Sequence, residues 1–211
     1  FFEAGLIRAL PKIVGVQSEH ADPVYRYYLE PQADRRRFVP VTVRPSVAQA
    51  AMIGNPVSMP RVIHMVERYN QSAGRQRVFF AAVTEQAIMD WQLAANRNGH
   101  IACTHGGETL AGLQTARERG WVQPEDIAVL DSTAHALKFS GFQDMYFENR
   151  FPAEFGIQPD PALMNRPVYI RPKDLSQVPA PGRPLPEEEF TLFVRRTAEE
   201  IADRLHLRKK T

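Results

Sequence analysis

The chain has 211 residues, which is enough for one large domain or one and a half. Its 44% hydrophobic and 24% charged residues exclude a disordered chain, and a net charge of only +2 gives no general case for nucleic-acid binding. No apolar run approaches the roughly 20 residues of a membrane span, and a single cysteine excludes an internal disulfide and indicates a reducing, cytoplasmic compartment.

Apolar periodicity, interrupted by proline and glycine, predicts alternating strands and helices along the chain. Short apolar runs predict strands over residues 12–17, 78–83, 101–103 and 127–130. Helical spacing and helix-capping residues predict helices over residues 1–10, 22–30, 47–53, 61–71, 84–95, 106–120 and 187–207. The run 78–83 is apolar almost throughout, which suits a strand in a parallel sheet that is covered on both faces.

The stretch from Gly99 to Phe139 indicates the fold class. Its two apolar runs each end in a turn of small and hydroxylated residues, Thr104–Gly107 and Ser132–Ala134, and a helical pattern follows each turn. This alternation is typical of an open parallel sheet, in which ligands bind at the carboxyl ends of the strands. We therefore predict an α/β fold, a three-layer open and mostly parallel sheet with helices on both faces.

The composition changes after Phe139. Nine of the 17 prolines lie between residues 152 and 186, and residues 176–186 (SQVPAPGRPLP) predict an extended linker. Residues 187–207 then predict an amphipathic helix with acids at its start and bases at its end. We expect three parts: residues 1–139, a Pro-rich extension over 140–186 and a C-terminal helix within 187–211.

Four segments, in order along the chain, contain recognisable sequence motifs: AAMIGNPVS at 50–58, VTE at 83–85, the LAGL-containing segment 99–112, and TAHALK at 133–138. They resemble the A-I-x-I-G-N-P-V-S, V-T-E-E-E, G-x-x-x-E-P-A-S-A-A-x-L-A-G-L and T-G-H-G-L-K segments of threonine synthases. Those are fold-type II enzymes that use pyridoxal 5'-phosphate (PLP). The resemblance spans roughly Pro11 to Lys138, and the I-G-N-P-V-S piece is its most family-specific part.

The resemblance implies roles for six residues. Thr133 stands where fold-type II enzymes have the Ser or Thr that donates a hydrogen bond to the ring nitrogen of PLP. The turn at Ala51 and Gly54 would pass beside the cofactor ring, where small residues let the backbone come close. Asn55, Ser58 and Thr104 would line the substrate side.

Each assignment has a structural alternative. A threonine before a helix is also a common N-cap, which would explain Thr133 without a cofactor. A Gly-Asn-Pro sequence is also an ordinary turn between two helices, which would explain residues 54–56. The resemblance alone favours the cofactor role of Thr133, and for the 54–56 turn both interpretations stay open.

The segment Thr104–Glu108 (THGGE) departs most from the family's sequence motifs, because it stands where the family has E-P-A-S-A-A. Gly106 and Gly107 at a helix start could present backbone N–H groups to an anion. Cys103 and His105 could form a nucleophile pair, although a lone cysteine at the end of an apolar run is more typical of a core. The departure leaves the substrate preference open.

Two parts that a PLP enzyme needs are not recognisable in the sequence. The family's Schiff-base lysine and glycine-rich phosphate loop come from its N-terminal part, whereas the lysines here are Lys12, Lys138, Lys173, Lys209 and Lys210. The chain also opens on Phe-Phe-Glu without an initiator Met. We therefore expect the C-terminal portion of such an enzyme, with the N-terminal portion as its partner and a homodimer as its assembly.

The favoured function is threonine synthesis from O-phospho-L-homoserine and water, with PLP as cofactor and an amino acid as substrate. Residues 1–139 would be the C-terminal part of the PLP-enzyme large domain. The alternatives are another fold-type II lyase, such as a threonine dehydratase or a cysteine synthase-like enzyme, and a non-catalytic binding module that uses residues 140–211 as an interaction arm. A weaker alternative is anion or nucleic-acid binding through 35–37 and 208–210.

Overall fold

The structure is a computed structural model that describes residues 1–164, 169–170, 172, 175 and 178–207. The chain divides into two compact units, Phe1–Asn165 and Arg166–Thr211. The first unit contains β1 (Ile13–Ser18), α1 (Pro23–Leu29), α2 (Met59–Ala73), β2 (Val78–Val83), α3 (Glu85–Arg97), α4 (Thr104–Glu118) and α5 (Ser140–Phe147), and the second contains α6 (Glu187–Arg204). Short 3-10 turns occupy Gln49–Ala51, Ala136–Phe139 and Ala153–Phe155.

β1 and β2 form a parallel pair, in register from Ile13 opposite Val78 to Ser18 opposite Val83. Alternate side chains point to opposite faces of a strand, and a helix packs on each face of this pair. On one face, the Gln17 side chain accepts hydrogen bonds from the first backbone N–H groups of α1 at 2.9 and 3.0 Å. On the other face, Val16 contacts Gly112 of α4. The described part is therefore α/β, with helices beside a parallel sheet of two strands, and the larger three-layer sheet stays a prediction.

Two glycines allow α4 to approach its neighbours closely. A Cβ atom on Gly112 would overlap the side chain of Val16 in β1, and one on Gly107 would overlap the carbonyl oxygen of Ile88 in α3. Closer approach increases the number of dispersion contacts between these elements. α4 is therefore fixed against both β1 and α3 by glycines that no larger residue can replace without displacement.

The apolar core of the first unit lies around α3. Ile88, Met89 and Leu93 pack with Val47 and with Tyr146 of α5, all buried. The Tyr146 hydroxyl donates a hydrogen bond to the Asp90 carboxylate at 2.7 Å and accepts one from a backbone N–H at 2.8 Å. The packed unit therefore continues beyond Phe139, through α5.

Most predicted elements are confirmed with small shifts in their ends. Locally specified starts are the most accurate: Pro23 opens α1, and Thr84 caps α3 by accepting a hydrogen bond from the Ala87 N–H at 3.1 Å. Confirmed in this way are the strands over 12–17 and 78–83 and the helices over 22–30, 61–71, 84–95, 106–120 and 187–207.

Two predicted helices are wrong. Residues 1–10 form turns, with Gly5 at a φ of +69° and the side chains of Phe1 and Leu6 exposed. A short helix is only marginally stable unless its apolar side chains pack against another apolar surface. In the described chain, the side chains of Phe1 and Leu6 do not pack against such a surface. The helix predicted over 47–53 shrinks to the 3-10 turn Gln49–Ala51, before Gly54 and Pro56.

Two predicted strands are also wrong. Residue 102 forms only an isolated antiparallel bridge with His135, and residues 127–130 form no strand. Ile127 and Val129 are 95% and 94% exposed. A strand needs a neighbour that accepts and donates its backbone hydrogen bonds, and segment 127–130 has no such neighbour in the described residues.

The second unit is described in part. Residues 178–186 have no helix, and α6 follows with its acids in the first turn, as predicted. The predicted linker residues Ser176 and Gln177, and the basic residues 208–210, lie outside the described residues. Within the described ranges, no helix is long and apolar enough to cross a membrane, and no cluster of three or more His, Cys, Asp or Glu side chains could hold a metal ion.

We predict opposite effects of the same substitution at two helical glycines. Gly112→Ala should destabilise the protein by about 1–3 kcal/mol, because the added methyl group overlaps Val16. Gly141→Ala in α5 meets no atom within 4 Å and should leave stability unchanged or raise it by up to about 1 kcal/mol. Urea midpoints at constant slope measure both effects, and equal midpoints for the two variants would contradict the close packing of α4.

Candidate functional site

Three buried polar residues meet at the carboxyl ends of the two strands. Ser18 ends β1, Glu85 opens α3 directly after β2, and Glu108 lies in the second turn of α4. Glu85 is fully buried and Glu108 is 5% exposed. Since ligands of open parallel sheets bind at this edge, the carboxyl edge of β1 and β2 is the candidate functional site.

Glu85 joins the sheet edge to the turn at Val47. Its carboxylate accepts hydrogen bonds from the Ser18 hydroxyl and from the Val47 backbone N–H, the latter at 2.6 Å. The carboxylate oxygen also lies 3.9 Å from His20 Nδ1, and that nitrogen is 2.6 Å from the Pro45 carbonyl oxygen. Hydrogen bonds to a buried carboxylate are strong, so Glu85 fixes the Val47 turn against the sheet.

Glu108 faces the same edge from α4. Burial and the negative charge of Glu85 raise the pKa of Glu108 to about 7, and a hydrogen bond from the Ser18 backbone partly offsets the increase. Its Oε1 atom has no hydrogen-bond partner in the described structure, nor has the buried Oγ1 of Thr104. Residues four apart share one helix face, so the first two turns of α4 present two unsatisfied buried polar groups at this edge.

The loop 131–135 lies along the start of α4. The Cys103 backbone N–H donates a hydrogen bond to the Ala134 carbonyl at 3.2 Å. Thr133 is exposed on this loop and does not cap a helix. The cap of the following 3-10 turn is His135, whose Nδ1 accepts a hydrogen bond from the N–H two residues later at 3.1 Å. The N-cap alternative for Thr133 is therefore wrong, and its hydroxyl is exposed beside α4.

The turn over residues 51–58 is held in place mainly by contacts with the core and with the segment around Val41. Ala51 is half-buried against the core, and the carbonyl of Gly54 accepts a hydrogen bond from the Val41 N–H at 3.0 Å. A Cβ atom on Gly54 would overlap the Val41 carbonyl oxygen, so the glycine is required by that contact. Asn55 and Ser58 are exposed.

The six residues predicted for the site fall into two groups. Thr104 and Thr133 lie on adjoining segments, because the loop of Thr133 packs on the start of α4. The other four lie on the turn over residues 51–58, which is connected to the sheet edge through Val47 and its hydrogen bond to Glu85. Their roles toward cofactor and substrate stay predictions.

Cys103 and His105 are in contact, with Sγ 3.6 Å from Nδ1. Burial, and next the nearby charge of Lys138, lower the pKa of His105, which favours the neutral imidazole. The Cys103 thiol is fully buried, however, so no substrate can reach it in this structure. The pair thus fixes the start of α4 and is not an accessible nucleophile.

Gly106 and Gly107 serve close packing. A Cβ on Gly106 would lie 2.7 Å from that of Ala102, and one on Gly107 would overlap the Ile88 carbonyl oxygen. The Gly107 N–H donates to the Cys103 carbonyl at 3.1 Å, so it is not available to an anion. For Gly106 the anion-binding interpretation stays a prediction.

Sequence reasoning did not single out Glu85 or Glu108 as site residues. A signal for Glu108 existed, because it is a carboxylate between Thr104 and Gly112 on a helix face that is otherwise small or apolar. Glu85 follows a buried strand directly, where polar side chains of parallel sheets converge. Their proximity could not be read from the sequence, since it depends on how α3 and α4 pack.

Comparisons with known proteins agree with this architecture. The family described as pyridoxal-phosphate dependent enzyme matches residues 1–132. Threonine synthase 2, chloroplastic, from Arabidopsis thaliana is 31% identical over 171 residues, which are 81% of this chain and 30% of that protein. The threonine synthases of Methanocaldococcus jannaschii and Mycobacterium leprae are 29% and 31% identical over 64% of this chain, and these matches span 31% and 32% of those proteins.

The site fits one edge of the family's cofactor. An exposed hydroxyl at Thr133 suits the ring nitrogen of PLP. Lys138 is exposed, with Nζ 5.3 Å from the centre of the Phe139 ring. The chain spans about a third of the length of the relatives that it matches. Because the family match covers more than half of its residues, the chain belongs to the pyridoxal-phosphate dependent enzymes, as a threonine synthase-like member of fold type II.

Proposed function

We propose that this chain is the C-terminal part of a cytoplasmic threonine synthase, a carbon–oxygen lyase that converts O-phospho-L-homoserine and water to L-threonine and phosphate. The observation that supports it most is the exposed Thr133 hydroxyl on a loop packed against α4, at the carboxyl edge of the sheet. The related proteins are named threonine synthases, which supports the proposed product. The complete enzyme would act as a homodimer.

The residues of this chain would hold and orient the reacting groups. PLP, when bound, supplies an electron sink for the substrate carbon atoms. The Thr133 hydroxyl would donate a hydrogen bond to the ring nitrogen without protonating it. The ring would then withdraw electrons less strongly than a ring with a protonated nitrogen. The backbone at Ala51 and Gly54 would lie beside the ring of PLP. Asn55, Ser58 and Thr104 would bind polar groups of the amino-acid substrate.

The N-terminal portion of the enzyme would supply the lysine and the phosphate loop, and a groove beside β1 is suited to receive it. The N–H groups of Ile13 and Glu19 donate to the carbonyls of Arg77, just before β2, and Val83, at its end. The intervening Val14 and Val16 therefore present their backbone groups to the opposite, open edge. A groove of about 680 Å³ separates this edge from the exposed segment 127–130.

The direction of the segment suits an inserted strand. Asp126 forms an ion pair of 2.9 Å with Lys12, next to the start of β1, and Asp131 lies near Thr109 of α4. Segment 126–131 thus runs in the same direction as β1, with the groove between them. A strand from the N-terminal portion would pair with both sides and cover Ile127 and Val129, as parallel sheets require.

We predict the products of the complete enzyme, that is, this chain together with its N-terminal portion. Given O-phospho-L-homoserine, it should release threonine and phosphate in equal amounts. Chromatography of the amino acids and a phosphate assay measure both. Cysteine formed from O-acetylserine and sulfide, or 2-oxobutanoate formed from threonine, in place of these products would support another fold-type II lyase and overturn the proposal.

We predict that Thr133 contributes to PLP affinity. Thr133→Ala removes one hydrogen bond of about 1 kcal/mol, so the dissociation constant of PLP should rise about fivefold, whereas Thr133→Ser should keep the affinity. Ser72→Ala, at an exposed hydroxyl of α2, is the matched control and should have no effect. Equilibrium dialysis of PLP with the complete enzyme measures these constants. An unchanged constant for Thr133→Ala would exclude the contact.

A further inference from the structure

Two carboxyl groups without a counter-ion lie at the sheet edge. In the described part of the chain, neither Glu85 nor Glu108 pairs with a lysine or arginine. The basic side chain beside Glu85 is His20, whose Nδ1 is 3.9 Å from the Glu85 carboxylate but also 2.6 Å from the Pro45 carbonyl oxygen. This arrangement disfavours two negative charges, because burial removes the solvation of both.

The elements packed against α4 offer little further charge. They are α3, β1, β2 and the loop 131–135, whose Asp131 and His135 side chains are exposed. α3 provides Glu85 toward this edge, while Asp90 is bonded to Tyr146. β2 (VFFAAV) has no titratable side chain. Beyond the end of β1 lie His20 and Glu19, whose side chains are 4.0 Å apart. Glu85 is thus the charge that acts on Glu108.

The two carboxyl groups differ in their hydrogen bonds. Glu85 accepts two, from Ser18 and Val47. Glu108 has one oxygen without any partner in the described structure. A negative charge on Glu108 would therefore lack hydrogen bonds that stabilise a buried carboxylate, which favours the neutral form of Glu108.

We infer that Glu108 is a positioning residue whose neutral form keeps the first turns of α4 and α3 together, so that Glu85 holds the Val47 turn at the sheet edge. Ionisation of Glu108 places a second negative charge beside Glu85. The repulsion weakens the contact between α4 and α3 at their first turns, and with it the hydrogen bond to the Val47 N–H.

This role has a consequence for the turn over residues 51–58. Val47 leads into the 3-10 turn Gln49–Ala51 and then into Gly54. Loss of the Glu85–Val47 bond would release the backbone that leads to those residues. The effect on PLP or substrate rests on the proposed function, whereas the carboxyl pair and its effect on the Val47 turn do not.

The sign of the pH dependence follows from the direction of the shift. The pKa of Glu108 is raised from 4.5 to about 7 in the folded protein, so folding binds a proton in this window. The stabilisation is complete below pH 4.5 and is lost as the pH rises to about 7. Across that window the folding equilibrium constant should fall by up to tenfold per pH unit from this group.

The experiment compares four proteins between pH 4.5 and 8.5: the wild type, Glu108→Gln, Glu85→Gln and the control Glu118→Gln on the exposed face of α4. Urea unfolding gives the folding equilibrium, and hydrogen exchange of the Val47 amide, corrected for intrinsic rates, gives the local effect. Glu108→Gln keeps the shape of the side chain and removes its charge.

We expect the wild type and Glu118→Gln to lose Val47 protection by at least tenfold as the pH passes about 7, and Glu108→Gln to keep it. Glu85→Gln removes the like charge, so the remaining transition should shift to lower pH. Protection of Val47 that falls equally in the wild type and in Glu108→Gln would overturn the inference. Because no readout uses PLP or substrate, failure of the proposed function would leave these results unchanged.

Discussion

The close approach of α4 to both β1 and α3 is the constraint on which the rest of the structure depends. Gly112 and Gly107 remove the side chains that would hold these elements apart. The approach brings Glu108 next to Glu85 and gives the loop 131–135 a surface to pack on. The buried polar groups and the exposed Thr133 hydroxyl are thus consequences of one packing arrangement, and the candidate site lies where that arrangement meets the carboxyl ends of the strands.

A parallel sheet of two strands with an open edge is unusual, because parallel strands are normally covered and paired on both sides. Here β1 pairs with β2 on one side only, and the apolar segment 127–130 lies across a groove from its free edge. The chain spans about a third of the length of the relatives that it matches. Under the proposed function, a strand from the N-terminal portion would fill the groove, and that portion would add the lysine and the phosphate loop that PLP chemistry needs.

Elements with local signals could be predicted from the sequence, and elements that depend on distant partners could not. Pro23 and the Thr84 cap specify the starts of α1 and α3 by themselves, so these helices were predicted correctly. Segment 127–130 has the right residues for a strand but no neighbour to pair with. The resemblance identified the family and put Thr133 on the turn after a strand over 127–130, which the structure does not form. The proximity of Glu85 and Glu108 could not be predicted, because it depends on how two helices pack.

The central claim is that this chain contributes the ring-nitrogen side of a PLP site while another part of the enzyme contributes the lysine. The most direct measurement is to add PLP to this chain together with its N-terminal portion, reduce with borohydride, and map the labelled peptide. The account predicts that the label is on a lysine of the N-terminal portion, and that this chain alone acquires none. A label on Lys138 or Lys12 would contradict it, because this chain would then supply the lysine itself.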